Sequence, residues 1–194
     1  ESLNYLNRAL KLNPNYAEAL INRGLIYLNK KDKAHALSDL EKAYKLKPHI
    51  KQIWHLVLDL KMEIKDFENT IALANEMVKL DPIDEKAFAS MALCHQHLNN
   101  YDKAELFYKK ALVIKPDYAD VYNNMGVILQ DQGKLEEALE AFTKALAIKP
   151  DYADVYNNMG VILQDQGKLE EALEAFTKAL AIKPDYADVY NNMG

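Results

Sequence analysis

The chain has a single cysteine, Cys94, in 194 residues. An internal disulfide framework is thereby excluded, and a lone thiol suits a reducing compartment. Long apolar runs are missing too. Although 49% of the residues are hydrophobic, no run approaches the roughly 18 residues of a membrane span, so the expectation is a soluble chain with no membrane partner. The opening residues lack the basic, apolar and small-residue order of a secretory signal, although the chain starts at Glu1 and not at Met. A cytoplasmic location is the resulting expectation. The five histidines are scattered. Nothing resembles a nucleophile with its base or a phosphate-cradling glycine loop, so no catalytic residue, no cofactor and no enzyme activity is expected. Basic charge is also short, with a net charge of −5. General nucleic-acid or anionic-membrane binders need clustered Lys and Arg, which argues against nucleic acid as a partner. The imbalance is uneven: residues 1–118 carry 18 Lys and Arg against 16 Asp and Glu, whereas 119–194 carry 6 against 13.

What is present is repetition. Residues 114–160 are identical, letter for letter, to residues 148–194, a shift of 34. Copies that had each adapted to a separate role would differ somewhere, so this half reads as a recent tandem duplication or an engineered concatenation. The same spacing runs through the whole chain, because Pro14, Pro48, Pro82, Pro116, Pro150 and Pro184 stand 34 apart and account for every proline. A period of this length marks a repeat array, not a compact enzyme domain. Between prolines lie two apolar periodic segments of about 14 residues, such as Ala119 to Gln132 and Leu135 to Ile148, whose spacings near 3 and 4 predict amphipathic helices. The repeat is a helical hairpin. Gly133 and Gly167 fall where the first helix stops, Pro150 and Pro184 block continuation of the second, and Asp151 and Asp185 are placed to cap the next.

This pattern resembles the tetratricopeptide repeat. In one unit the residues that carry the resemblance are Tyr122, Met125, Gly126, Leu129, Ala138, Phe142, Ala145 and Pro150; the next repeats them as Tyr156, Met159, Gly160, Leu163, Ala172, Phe176, Ala179 and Pro184. The resemblance implies an all-α, right-handed superhelical solenoid of antiparallel helix pairs. Five full units are expected, 17–50, 51–84, 85–118, 119–152 and 153–186. Residues 1–16 supply the second helix of an earlier unit and 187–194 the opening of a further one. Both ends cut through a repeat, so the chain reads as part of something longer. The unit 51–84 departs most, keeping Trp54, Phe67 and Pro82 but placing Leu58, Thr70, Ala74 and Met77 where Gly, Ala, an aromatic and Ala are usual. A small Ala74 and a large Met77 one turn on are expected to keep the core volume near constant.

Cys94, His95 and His97 form the single cluster of soft ligand types. His95 holds the aromatic core position of Tyr27, and no fourth ligand recurs at zinc spacing, so no metal site is expected.

The resemblance further implies that the first helix of each unit lines a concave surface on which partners dock. The residues so placed include Asn22, Asp120, Asn123, Asn124, Asp154, Asn157, Asn158, Asp188 and Asn192. Asn22, Asn124, Asn158 and Asn192 share one repeat position, interrupted by Leu56 and Ser90. Similar asparagine ladders line the superhelix of the protein O-linked N-acetylglucosaminyltransferases, where they hold extended peptide. A primary amide both donates and accepts, so a row of them can pair with any peptide backbone, and the neighbouring aspartates favour basic ligands. The leading expectation is a protein-interaction scaffold for an extended peptide or protein segment. Two other readings compete: a substrate-recruiting arm of a larger glycosyltransferase, and an engineered or head-to-tail self-associating structural array, since one repeated unit generates a screw that exposed apolar ends could propagate.

Overall fold

The computed structural model describes residues 2–193, and every regular element among them is an α-helix. Two compact units divide the chain, Glu1–Leu98 and Asn99–Gly194. The first holds α1 (Ser2–Leu12), α2 (Ala17–Asn29), α3 (Lys33–Leu46), α4 (Lys51–Glu63), α5 (Phe67–Leu80) and α6 (Glu85–His97). The second holds α7 (Tyr101–Ile114), α8 (Ala119–Asp131), α9 (Leu135–Ile148), α10 (Ala153–Asp165), α11 (Leu169–Ile182) and α12 (Ala187–Met193). The helices α2 and α3, α8 and α9, and α10 and α11 form the most extensively packed antiparallel pairs.

Each pair turns through one device. Gly133 has φ +74°; its N–H bonds to the Gln130 carbonyl and that of Lys134 to the Leu129 carbonyl, both at 2.9 Å. These bonds satisfy carbonyls left open at the end of α8, in the two-bond pattern that a left-handed residue makes possible. Gly167 repeats it with φ +74°. In the first unit Lys31 and Lys65 hold the same place with φ 61° and 60°, although a side chain disfavours that conformation. At the far end of the pair, α9 stops at Ile148 with Lys149 extended and Pro150 unable to continue it. The expected cap at Asp151 is not formed. The residue preceding α10 is Tyr152, which makes no side-chain cap bond and whose ring packs against the core, so Asp151 stands one place too early to cap the helix.

Phe142 anchors the core of the second unit. It is fully buried with Ala138, Ala145, Ile128, Val155 and Ile162, a burial worth roughly 1.5–3 kcal/mol for such an aromatic ring. The alanines and Gly126 let the helices approach closely enough to enclose it. In the first unit Leu40, Val57, Leu58, Met91 and Ala92 play the corresponding part. There an ion pair also crosses α2 and α3, with Arg23 Nε and Nη2 each 2.7 Å from the buried Asp39 carboxylate.

The divergent hairpin packs differently. Helix α5 lies more extensively on α6 than on α4. Leu58, Ala74 and Met77 are all buried, so the volume exchange expected between Ala74 and Met77 has a third member. In the regular hairpins the residues at the Leu58 and Ala74 positions face each other as Gly126 and Phe142. Large and small have therefore changed places between α4 and α5.

Candidate functional site

Helices α8, α10 and α12 open the hairpins of the second unit and carry its repeated polar residues. Asp120, Asp154 and Asp188 are exposed, Asn124, Asn158 and Asn192 half-buried, and Asn123 and Asn157 buried. The amides are bonded to one another. Asn158 Nδ2 donates to Asn123 Oδ1 at 3.2 Å, and Asn192 Nδ2 to Asn157 Oδ1 at 2.9 Å. Asn123 Nδ2 in turn reaches Asn124 Oδ1 at 3.4 Å. Asn123 and Asn157 thus stand behind the row as acceptors, one repeat back from each donor. The pairing fixes the amide orientations and leaves the Asn124 Nδ2 and Asn158 Oδ1 ends unbonded among the described residues.

A second series runs beside the first. Asp120 lies near the Tyr152 hydroxyl and Asp154 near that of Tyr186; burial together with these carboxylates holds both phenols above their usual range. Lys149 Nζ lies 4.2 Å from the Tyr152 ring centroid and Lys183 Nζ 4.1 Å from that of Tyr186, distances at which an ammonium is attracted to the ring face. Each hairpin therefore presents a carboxylate, a tyrosine and a lysine in fixed order next to an amide. The sequence signal for this series is a Tyr before α8, α10 and α12, each three residues after a Lys, which lies outside the first-helix face.

In the first unit the same face is occupied otherwise. Asn22 is exposed on α2 beside Leu25, which is 40% exposed. Glu18 pairs with Lys47, and Asp59 with Lys86 at 2.7 Å, so charges here are engaged between successive elements.

Cys94, His95 and His97 do not converge. The Cys94 thiol is fully buried and donates to Met62 Sδ at 3.1 Å, whereas the exposed His97 ring stacks on Phe67 with centroids 4.8 Å apart. Among the described residues no three His, Cys, Asp or Glu side chains are grouped to hold a metal ion, and no helix is long and apolar enough to cross a membrane.

Paired helices of about 13 residues, closed by a left-handed turn and repeated every 34, define a protein of the α-hairpin repeat class. Profiles of the tetratricopeptide repeat match residues 85–151 and 117–185, and a further one matches 17–50. The chain belongs to the tetratricopeptide repeat family. Among solved structures it is similar to MamA, at 24% identity over 84% of this chain and 96% of that one with a TM-score of 0.73. It is also similar to YrrB, described as a TPR protein with an unusual peptide-binding site, at 20% identity over 96% of both chains with a TM-score of 0.68. A thermophilic TPR protein of Thermus thermophilus, TTC0263, aligns at 18% identity over 91% of this chain and 96% of that one, with a TM-score of 0.70. At these identities the likeness establishes the fold. No curated protein matches the chain.

Proposed function

We propose that this chain is a protein-interaction scaffold whose second unit holds an extended, basic protein segment along the first-helix face of its hairpins. Scaffolds of the tetratricopeptide repeat are generally non-catalytic, and YrrB offers a relative in fold with a peptide-binding site. The observation that carries the reading is the amide row. Asn124, Asn158 and Asn192 recur at one register, and the bonds from Asn158 to Asn123 and from Asn192 to Asn157 hold two of them in fixed orientation. A donor and acceptor held in place before binding loses little side-chain entropy when a peptide backbone arrives, which is how preorganisation raises affinity. The exposed Asp120, Asp154 and Asp188 supply the charge preference. Residues 119–194 have a net charge of −7, so attraction for lysine- and arginine-bearing segments follows and weakens as salt screens it.

The test is a binding titration with extended lysine-rich and glutamate-rich peptides of equal length, at low and physiological salt. The Asn124→Ala, Asn158→Ala double variant is expected to lose most of its affinity for the lysine-rich peptide with helicity unchanged by circular dichroism. Unaltered affinity in that variant, or tighter binding of the acidic peptide at low salt, sinks the reading.

A further inference from the structure

The hairpin at 51–84 leaves open a space that the regular hairpins cover with their own tyrosine. A pocket of about 460 Å³ lies against Trp54, Met77 and Leu80, with Pro48 on one side and Lys51, Asp81 and Asp84 at its polar edge. That volume is within the range of roughly 300–1,000 Å³ that small ligands occupy. Leu80 and the adjacent Ile83 remain 62% and 70% exposed. The Trp54 ring is held in place by Tyr44, whose centroid is 4.7 Å away, and by its own indole N–H, which donates to the Pro48 carbonyl at 2.6 Å.

The residue before the following helix decides whether this space is filled. In the regular hairpins it is Tyr152 or Tyr186. The ring of each lies under a lysine ammonium with an aspartate near its hydroxyl, and Tyr152 packs on the core. In the divergent hairpin the same repeat position is Asp84, and its carboxylate turns inward. Oδ1 accepts the Ala87 N–H at 2.9 Å to cap α6, and Oδ2 faces His55 Nε2 at 3.0 Å and Lys51 Nζ at 3.3 Å. A cap has replaced a ring. A lysine and a carboxylate also stand at the mouth, in exchanged register: the half-exposed Asp81 holds the repeat position of Lys149, and Lys51, 2.9 Å away, lies next to that of Asp120.

We propose that this pocket is a docking site for a tyrosine side chain of a partner protein. The partner's ring lies against Trp54, Met77 and Leu80 beside the Lys51 ammonium, and its hydroxyl donates to the Asp81 carboxylate, so that an external ring takes the place that Tyr152 holds in its own hairpin. The aromatic wall and the cation favour an aromatic occupant. The Asp81 carboxylate accepts from Lys51 Nζ at 2.9 Å and the Ile83 N–H at 3.3 Å, and the acceptor capacity that two bonds leave on a carboxylate favours a phenol over a plain phenyl ring. The site lies in the first unit and uses none of the amide row, so its failure and the failure of the peptide-holding reading are separately visible.

Trp54 is the only tryptophan of the chain, and its indole N–H gives one resolvable signal in a nitrogen–proton correlation spectrum. The full chain is titrated with N-acetyl-tyrosinamide, N-acetyl-leucinamide and N-acetyl-lysinamide. A saturable shift of the Trp54 indole and of the Leu80 and Ile83 amides is expected with the tyrosine probe, at least about fivefold tighter than with either other probe. Leu80→Ala, at an exposed position that folding tolerates, is expected to weaken it at least about threefold, and Asp84→Tyr to abolish it by supplying the ring internally. A tyrosine response that does not saturate, equal binding of the leucine probe, preference for the lysine probe, or an unchanged response in Leu80→Ala each overturns the proposal.

Discussion

Gly126 faces the ring of Phe142 so closely that a Cβ built on the glycine would stand 2.4 Å from Phe142 Cε1, and the identical hairpin repeats this at 2.5 Å between Gly160 and Phe176. No real Cβ contact is that short, so one of the two must move. Because Phe142 is fully buried among small residues, it has little room. Gly126→Ala is therefore expected to destabilise the second unit by about 1–3 kcal/mol, and Phe142→Ala by about 3–5 kcal/mol. The arrangement at Leu58 and Ala74 suggests a stricter test. Gly126→Leu combined with Phe142→Ala transplants that pair, and its cost is expected to fall below the sum of the two single changes by at least about 1 kcal/mol. Because repeat arrays open locally, amide exchange in α8 and α9 is the measurement. Simple additivity of the two changes would falsify the exchange.

The amide row has a structural cost that can be read apart from binding. Asn158→Ala removes the donor to Asn123 Oδ1, and Asn123 is buried. A stranded buried acceptor costs about 1–3 kcal/mol, with the lower end expected at this partly open edge. Asn124→Ala removes only an acceptor at 3.4 Å and is expected to cost less than about 0.5 kcal/mol. Urea denaturation of the two single variants distinguishes them. Equal losses would mean that the bond from Asn158 to Asn123 contributes nothing.

The turns supply a third expectation. Lys31 and Lys65 hold the left-handed conformation that Gly133 and Gly167 adopt freely, with φ 61° and 60°. Lys31→Gly and Lys65→Gly are each expected to stabilise the first unit by about 0.5–1 kcal/mol, the strain relieved exceeding the entropy that glycine adds to the unfolded chain. Asn99, with φ 57°, should gain less, since asparagine tolerates this region. Thermal melts of the three variants in parallel give the order. A loss of stability in both lysine variants would show that their side chains contribute more than the backbone strain costs.

The helices themselves were legible because their apolar spacing and the prolines are both local signals. The segment predicted from Ala119 to Gln132 forms α8 to Asp131, and that from Leu135 to Ile148 forms α9 at the same bounds. What a single repeat cannot reveal is how its residues meet the neighbouring hairpin. Asn123 and Asn124 are adjacent in sequence and read as one polar face, yet one is buried and receives the amide of Asn158, 35 residues on. Tyr152 falls between the two periodic segments, outside both predicted helices, and its ring packs on the core with Asp120 near its hydroxyl. The cap was misplaced at Asp151 for the same reason. Chemistry favours aspartate, but register places Tyr152 before the helix; of the residues preceding α2, α4, α6, α8 and α10, it is Asp84 at which register and capping chemistry coincide.

Burial pushes the Cys94 thiol up to about 12, with nearby Glu68 and Asp66 adding to the effect of burial and the neighbouring Thr70 hydroxyl opposing it. The thiolate is the reactive form, and at pH 8 it is scarce for such a group. Alkylation of the native chain by iodoacetamide at pH 8 is expected to be at least ~100-fold slower than in urea, followed by mass spectrometry. Comparable rates would place Cys94 in an open environment.

Asp84 makes a pH-dependent contribution to the first unit. Burial by itself would raise its pKa, but the His55 bond, the Ala87 N–H and the charges of His55 and Lys51 outweigh that and hold the carboxyl at about 2. In the unfolded chain the same group titrates near 3.9. The folded state therefore favours the charged form, and the stabilisation is complete above pH ~4 and lost as pH falls through about 2. A difference of nearly two pKa units corresponds to on the order of 2 kcal/mol. Asp84→Asn keeps an acceptor for the α6 cap but carries no charge, so it is expected to be less stable than the parent at pH 6 by about 1–2 kcal/mol and to converge with it near pH 2. Urea denaturation followed by Trp54 fluorescence reports on this unit, because Trp54 lines the same pocket as Asp84 and no other tryptophan contributes. A gap between the two proteins that stays constant from pH 6 to pH 2 would show that the carboxylate acts as a neutral acceptor and that its charge stabilises nothing.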